Sequence, residues 1–214
     1  MEIIIVIAIL IFSVMIHEVA HGLAAFWQGD PTAKYAGRLT LNPVKHLDPV
    51  GSVIVPLLLF ISQAGILIGW AKPVPYNPFN LRDQKYGPAL VGLAGPLSNL
   101  IFALVCGVLF NLFLKLGIAG NFVFVILSYT IYINLLLMIF NLLPIPPLDG
   151  SKILFTFLPI SDHTKQILEQ YGFIFLLVFI FMFFPLISSL LGFVLGFFSE
   201  YIIGVNIAEY LMGL

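Results

Sequence analysis

Charge is what this sequence has least of. Only 9% of its 214 residues are Asp, Glu, Lys or Arg, against about 25% in an average soluble domain. Hydrophobic residues make up 61%. That imbalance excludes a disordered chain and a soluble enzyme. Nine Lys plus Arg against ten Asp plus Glu leave no basic footprint, which excludes nucleic acid as a partner. Cysteine is almost missing: Cys106 alone allows no intrachain disulfide and leaves the redox compartment unread. There is no internal repeat, and no low-complexity tract beyond the apolar runs. The longest polar connections, Gly29–Pro49 and Trp70–Gly87, are too short for a soluble domain. The amino terminus carries Glu2 and no basic residue ahead of its apolar run, the wrong charge for a secretory signal.

What is present is apolar sequence in runs near the length of about 20 residues that a bilayer-spanning helix needs. Five stretches qualify or nearly do: Ile3–Trp27, Gly51–Gly69, Pro88–Leu114, Gly117–Leu143 and Tyr171–Ser199. The last holds Pro185 near its middle, so it reads as one kinked span or as a span followed by a shallower helix. The expected fold is an all-α polytopic membrane protein of four to six hydrophobic helices. It forms one domain over residues 1–214, with a core in 3–157 and C-terminal hydrophobic helices in 166–214.

The chemistry concentrates in His17-Glu18-Val19-Ala20-His21, which reads HExxH. Residues four apart on a helix share one face, so the two imidazoles can bind one metal ion. Glu18 falls beside them as general base toward water activated at the metal. Zinc suits such a set, and one ion per chain is expected. A solvated helix can carry this pattern by chance. Here it sits inside an apolar run, where ionisable residues are costly and functional by default.

A third protein ligand is needed. The candidates are His46, Asp48, Asp83, Asp149, Asp162 and His163. Asp149 ends a charge-free stretch that begins at Leu116 and follows Pro144-Ile145-Pro146-Pro147, which cannot continue a regular helix. Asn141–Gly150 therefore reads in two ways: a broken helix end delivering a carboxylate, or a plain helix stop with Asp149 as N-cap of the next helix. His46 is the second choice of ligand.

HEVAH at the end of one apolar run, with NLLPIPPLDG much later in another, resembles the site-2 protease family of intramembrane zinc metalloproteases. The segment Ala94-Gly95-Pro96-Leu97-Ser98-Asn99 is similar to that family's middle helix start. Leu41–Pro49 and Gly69–Pro75 look like its compact prokaryotic branch, which lacks PDZ and CBS domains. The resemblance covers nearly all of residues 3–157. It implies His17, His21 and Asp149 as zinc ligands, Glu18 as catalytic acid and base, and Asn141 as a polar group that holds substrate backbone. Asn99 is carried over in the same substrate-binding role. Implied substrates are transmembrane segments of other proteins, cut within or next to the bilayer in regulated intramembrane proteolysis. The alternative is a catalytically silent scaffold that keeps the metal site and binds membrane proteins. A small metal carrier using the same ligands is a further reading, opposed by the lack of other charged residues along a route.

Topology follows from the site. If Gly51–Gly69 crossed the membrane, Lys34, Arg38 and Lys45 would face Lys72, Arg82 and Lys85 across it, against the positive-inside rule. HExxH and Asp149 would also be drawn apart. A re-entrant Gly51–Gly69 puts these residues and Lys152 on one cytoplasmic face of a prokaryotic cell membrane, with Lys115 opposite. The stretch Gly29–Pro49, with Arg38-Leu39-Thr40-Leu41 alternating, reads equally as an interfacial loop or as a short membrane-associated β-hairpin whose edge accepts substrate by strand addition. His46 beside Asp48 is a second-shell or gating candidate, or a structural interfacial histidine. Trp27, Trp70, Tyr76 and Tyr86 fit an aromatic interface belt. Gly192 and Gly196 form a GxxxG pair that fits helix packing, and the oligomeric state stays open.

Overall fold

A computed structural model of the chain describes residues 2–54, 58, 61–62, 71–117, 121–158 and 160–204. Seven α-helices occur among these residues: α1 (Glu2–Trp27), α2 (Thr32–Tyr35), α3 (Gly87–Leu116), α4 (Asn121–Asn141), α5 (Asp149–Phe157), α6 (Asp162–Gln170) and α7 (Gly172–Phe197). Four of them, α1, α3, α4 and α7, are long and apolar enough to cross a membrane. They correspond to four of the five runs expected from sequence. The fifth, Gly51–Gly69, lies largely outside the described residues.

The sequence marks where the long helices stop. Gly29 at φ +103° and Gly117 at φ +61° take left-handed conformations after α1 and at the end of α3, where a side chain would be strained. Pro88 sits in the first turn of α3, where its missing N–H costs nothing. α7 continues past Pro185, which supplies no backbone donor, and kinks at Phe183, whose φ/ψ of −115°/18° is non-helical. Tyr171–Ser199 is therefore a single kinked helix, as one of the two sequence readings had it.

α3 is the central helix: it packs against α1, α4 and α5, and α1 also meets α4. The main apolar core lies between α3 and α4, built on Ala103, Cys106, Phe110, Ile131, Leu135 and Met138. Ile203, in a final helical turn Phe198–Ile203, completes it. That turn docks where Asn111 donates to the Ile203 carbonyl at 2.7 Å. α7 packs on α4 and leaves most of its other surface exposed, including Phe181, Phe184 and Phe193. Among the described residues nothing lies within 4 Å of where a Cβ on Gly192 or Gly196 would stand, so this GxxxG pair packs no described helix of its own chain.

No β-strand occurs among the described residues, and the hairpin expected in Gly29–Pro49 is not formed. Its backbone is committed locally. Arg38 N–H closes the α2 turn on the Ala33 carbonyl, Asn42 caps a helical turn at Pro43–Lys45, and the His46 ring bonds the Thr40 carbonyl at 2.9 Å. The facing segment, residues 71–81, carries Pro73, Pro75 and Pro78 and so lacks ladder donors. It is a strap pinned to the first connection by single contacts. Lys72 N–H donates to the His46 carbonyl, Arg38 Nη2 donates to the carbonyls of Lys72 (2.7 Å) and Pro73 (3.2 Å), and Asn77 N–H donates to Asp30 Oδ2 at 2.6 Å. The two flanks of Gly51–Gly69 thus lie against one another, at the end of the bundle where α1 finishes.

Asp30 is the main anchor of that contact. It is fully buried and also accepts from the Thr32 hydroxyl and N–H and from Asn80 Nδ2. Burial pushes its carboxyl up, but these donors outweigh burial and hold it below the ordinary carboxylate range.

Candidate metal centre

His17 and His21 lie one turn apart on α1, both buried. Asp149 is the first residue of α5 and is buried with them. One ligand atom from each lies within 4.8 Å of the others. The two Nε2 atoms are 3.0 Å apart, and they stand 3.0 Å (His17) and 3.1 Å (His21) from Asp149 Oδ2. Asp149 is not the N-cap of α5; Leu148 is, in extended conformation. Of the two sequence readings of this segment, the N-cap is not the one observed: the Asp149 carboxylate stands beside the two histidines.

The far side of each ring fixes its proton. His21 Nδ1 lies 2.6 Å from the main-chain carbonyl of Val91, which can only accept. His17 Nδ1 lies 2.6 Å from Asn99 Oδ1. The Asn99 amide is oriented in turn: Nδ2 faces the main-chain carbonyl of Ser13 at 3.3 Å and Asn134 Oδ1 at 2.8 Å. Asn134 Nδ2 donates to the Thr130 carbonyl and to Ser13 Oγ, both at 2.8 Å. Both imidazoles therefore carry their proton on Nδ1. Two Nε2 lone pairs and a carboxylate oxygen converge with no donor between them. A shared proton can relieve one of those three contacts, whereas a cation relieves all of them. The set of two imidazoles and one carboxylate fits zinc in a catalytic site, with one position left open.

Small residues make the convergence possible. A Cβ on Gly95 of α3 would stand 2.5 Å from His21 Cε1 and Nε2 and 2.6 Å from His17 Cε1. A Cβ on Gly150 would fall 2.3 Å from the Leu142 carbonyl oxygen and 2.4 Å from that of Leu143. Only glycine lets α5 begin against the turn that ends α4, which is what brings Asp149 to the histidines.

The cluster opens on a cavity of ≈ 230 Å³ whose walls include Glu18, Asn141, Pro147, Lys152 and, from the strap, Pro73, Val74 and Tyr76. Glu18 Oε2 accepts the Val74 N–H at 2.8 Å. Gly22 permits that approach, since a Cβ there would meet Leu39 Cδ2 at 2.6 Å and Val74 Cγ1 at 2.8 Å. Asn141 Nδ2 donates to the Leu137 carbonyl at 2.9 Å. Lys152, one turn into α5, places Nζ 2.8 Å from Asp149 Oδ1. Burial alone would lower the Lys152 ammonium, but the Asp149 charge holds it above the ordinary lysine range.

Of the residues named from sequence, His17, Glu18, His21, Asp149 and Asn141 meet at this cavity. Asn99 does not line it: its amide is fully buried and committed to His17, Ser13 and Asn134. It braces His17 instead of lining the cavity. His46 is buried outside the cavity, with its ring on the Thr40 carbonyl. His163 is exposed on α6. Tyr76 turns into the cavity instead of joining an aromatic belt, while Trp27 and Tyr86 are exposed; Trp70 lies outside the described residues. Sequence reasoning missed Val91 and Asn134, and gave Gly95 and the strap no role at the cluster. Asn134 alone left a usable signal, an amide inside an apolar run.

A family model described as Peptidase family M50 matches residues 117–179. A Bacillus subtilis protein named "Putative zinc metalloprotease YwhC" is 41% identical over 175 residues, covering 79% of this chain and 76% of its own. A Mycobacterium tuberculosis protein named "Putative zinc metalloprotease Rip2" is 32% identical over 178 residues, covering 81% of this chain and 65% of its own. No solved structure gives a significant match.

Proposed function

This chain belongs to peptidase family M50, and on that premise we propose that it is an intramembrane zinc protease. It hydrolyses peptide bonds within or next to the transmembrane segments of other membrane proteins. The observation that carries the reading is the convergence of three acceptor atoms, from His17, His21 and Asp149, at a cavity that Glu18 also lines. Those three residues hold the ion. Zinc bound there supplies Lewis acidity, polarising a carbonyl and acidifying water. Glu18 takes a proton from water and hands it to the leaving nitrogen, its Oε2 braced by the Val74 N–H meanwhile. Asn141, on the cavity wall, holds an unwound stretch of substrate backbone. Asn99 and the Val91 carbonyl keep both rings in the tautomer that offers Nε2.

The site faces the cytoplasm in this reading, with the chain in a prokaryotic cell membrane and its amino terminus outside. The contact between residues 28–46 and the strap supports a re-entrant Gly51–Gly69, because the chain returns to the side it left. Lys34, Arg38, Lys45, Lys72, Arg82 and Lys85 then share one face, and Lys115 in the last turn of α3 lies at the other.

The test pairs wild type with Glu18→Gln in liposomes, each given a panel of single-span substrates with and without a zinc chelator. Wild type is expected to cut and to stop on chelation. Glu18→Gln is expected to keep zinc and lose turnover, and His17→Ala to lose both. Zinc bound by wild type and by Glu18→Gln with no cleavage by either would favour the scaffold alternative. Folded wild type that binds no zinc would overturn the site.

A further inference from the structure

We infer that Lys152 is a positioning residue for the metal centre, holding Asp149 to one-oxygen ligation. The inference rests on the proposed zinc site. Carboxylates bind metals through one oxygen or two. Here the two oxygens of Asp149 are divided. Oδ2 faces both imidazoles, at 3.0 and 3.1 Å, while Oδ1 is taken by Lys152 Nζ at 2.8 Å. Lys152 follows Asp149 by three residues, so both stand on one face of α5.

On a solvated helix such a pair would be ordinary and weak. This lysine is only partly solvated: its side chain is 24% exposed. Its stem lies against α3, where a Cβ on Gly92 would meet Lys152 Cβ and Cδ at 3.2 Å. Its ammonium sits 5.7 Å from the centre of the Tyr76 ring on the strap. Lys152 is also the one Lys or Arg among the described residues lining the cavity. An ammonium drawn this far out of water costs stability unless a partner holds it, and the partner it has is the outer oxygen of Asp149. With that oxygen occupied, Asp149 cannot turn to offer both. The ligand set stays at three protein atoms, and a position stays open for chemistry. The same cation offsets the charge of Asp149 before the ion arrives.

The test compares full-length wild type, Lys152→Met and Lys152→Arg in detergent. Two quantities are read: zinc affinity by competition with a chelator, and the visible spectrum of the cobalt-substituted protein. Wild type is expected to give the intense bands of four-coordinate cobalt. Lys152→Met is expected to bind zinc about 10–100-fold more weakly and to show the weaker bands of a higher coordination number. Lys152→Arg, which can still donate to Oδ1, is expected to restore the wild-type spectrum. A Lys152→Met protein with wild-type spectrum and affinity would overturn the inference, as would Lys152→Arg matching Lys152→Met. If Lys152→Met does not fold, Lys152→Ala, which likewise has no donor for Oδ1, is read by the same two criteria. Wild type binding neither metal would sink the zinc reading itself, an outcome distinct from any effect at position 152.

Discussion

His17 and His21 are the same residue type, one turn apart on one helix, yet they are held by different means. His17 is braced by a side chain, Asn99, which is itself fixed by Asn134 and by the Ser13 carbonyl. Those contacts tie α1, α3 and α4 together. His21 is braced by a main-chain carbonyl, that of Val91 on α3. The difference teaches that two neighbouring histidines of one cluster can differ in how mutable their support is. The brace on His17 can be deleted by substitution. The brace on His21 persists whatever side chain stands at position 91, provided α3 keeps its place.

The largest effect should come from removing the distinction altogether. Gly95→Ala puts a methyl group against both rings at once, so both ligands must shift. Zinc affinity, measured by chelator competition, is expected to fall by about a hundredfold or more, beyond the loss for one supporting contact. Asn99→Ala breaks one side only. It should weaken zinc by about 10–100-fold, and nitrogen NMR of the histidines should show His17 losing its fixed tautomer while His21 keeps it. It also leaves the buried Asn134 amide short of a partner, at a cost of about 1–3 kcal/mol in stability. Val91→Ala is the smallest. Lost packing should lower thermal stability by roughly 1–3 kcal/mol, while zinc affinity stays within about threefold because the carbonyl remains. If Asn99→Ala and Val91→Ala weaken zinc equally, the contrast between the two braces fails.

The residues of the cluster were legible in the sequence because they are out of place in it. Three ionisable residues in five positions of an apolar helix carry a periodic signal, and Asp149 stands alone after a long charge-free stretch. Four of the five apolar runs were legible for the same reason, through their length and composition. What supports the ligands was not. The Val91 contact runs through a main-chain oxygen, which leaves no trace in residue type. Gly95 matters for the atom it lacks. Asn99 could be seen as important, but an amide that faces substrate and one that faces a histidine look alike in a sequence. Lys152 read only as one more basic residue on one face, because its pairing depends on α5 starting at Asp149. The hairpin expectation failed through local competition: alternating residues at 38–41 met a helix turn, an Asn cap and three prolines in the opposing segment.

The contact from the strap to Glu18 has a consequence for how this chain can vary. The donor is the amide of Val74, so nineteen of the twenty amino acids can supply it and drift at position 74 is silent as far as this bond is concerned. One residue cannot. Proline occupies position 73 and position 75 but not the position between them. The single intervening amide is the one that donates to Glu18, and a lineage that lost it to a third proline would lose a hold on that carboxylate without altering any cavity-lining charge.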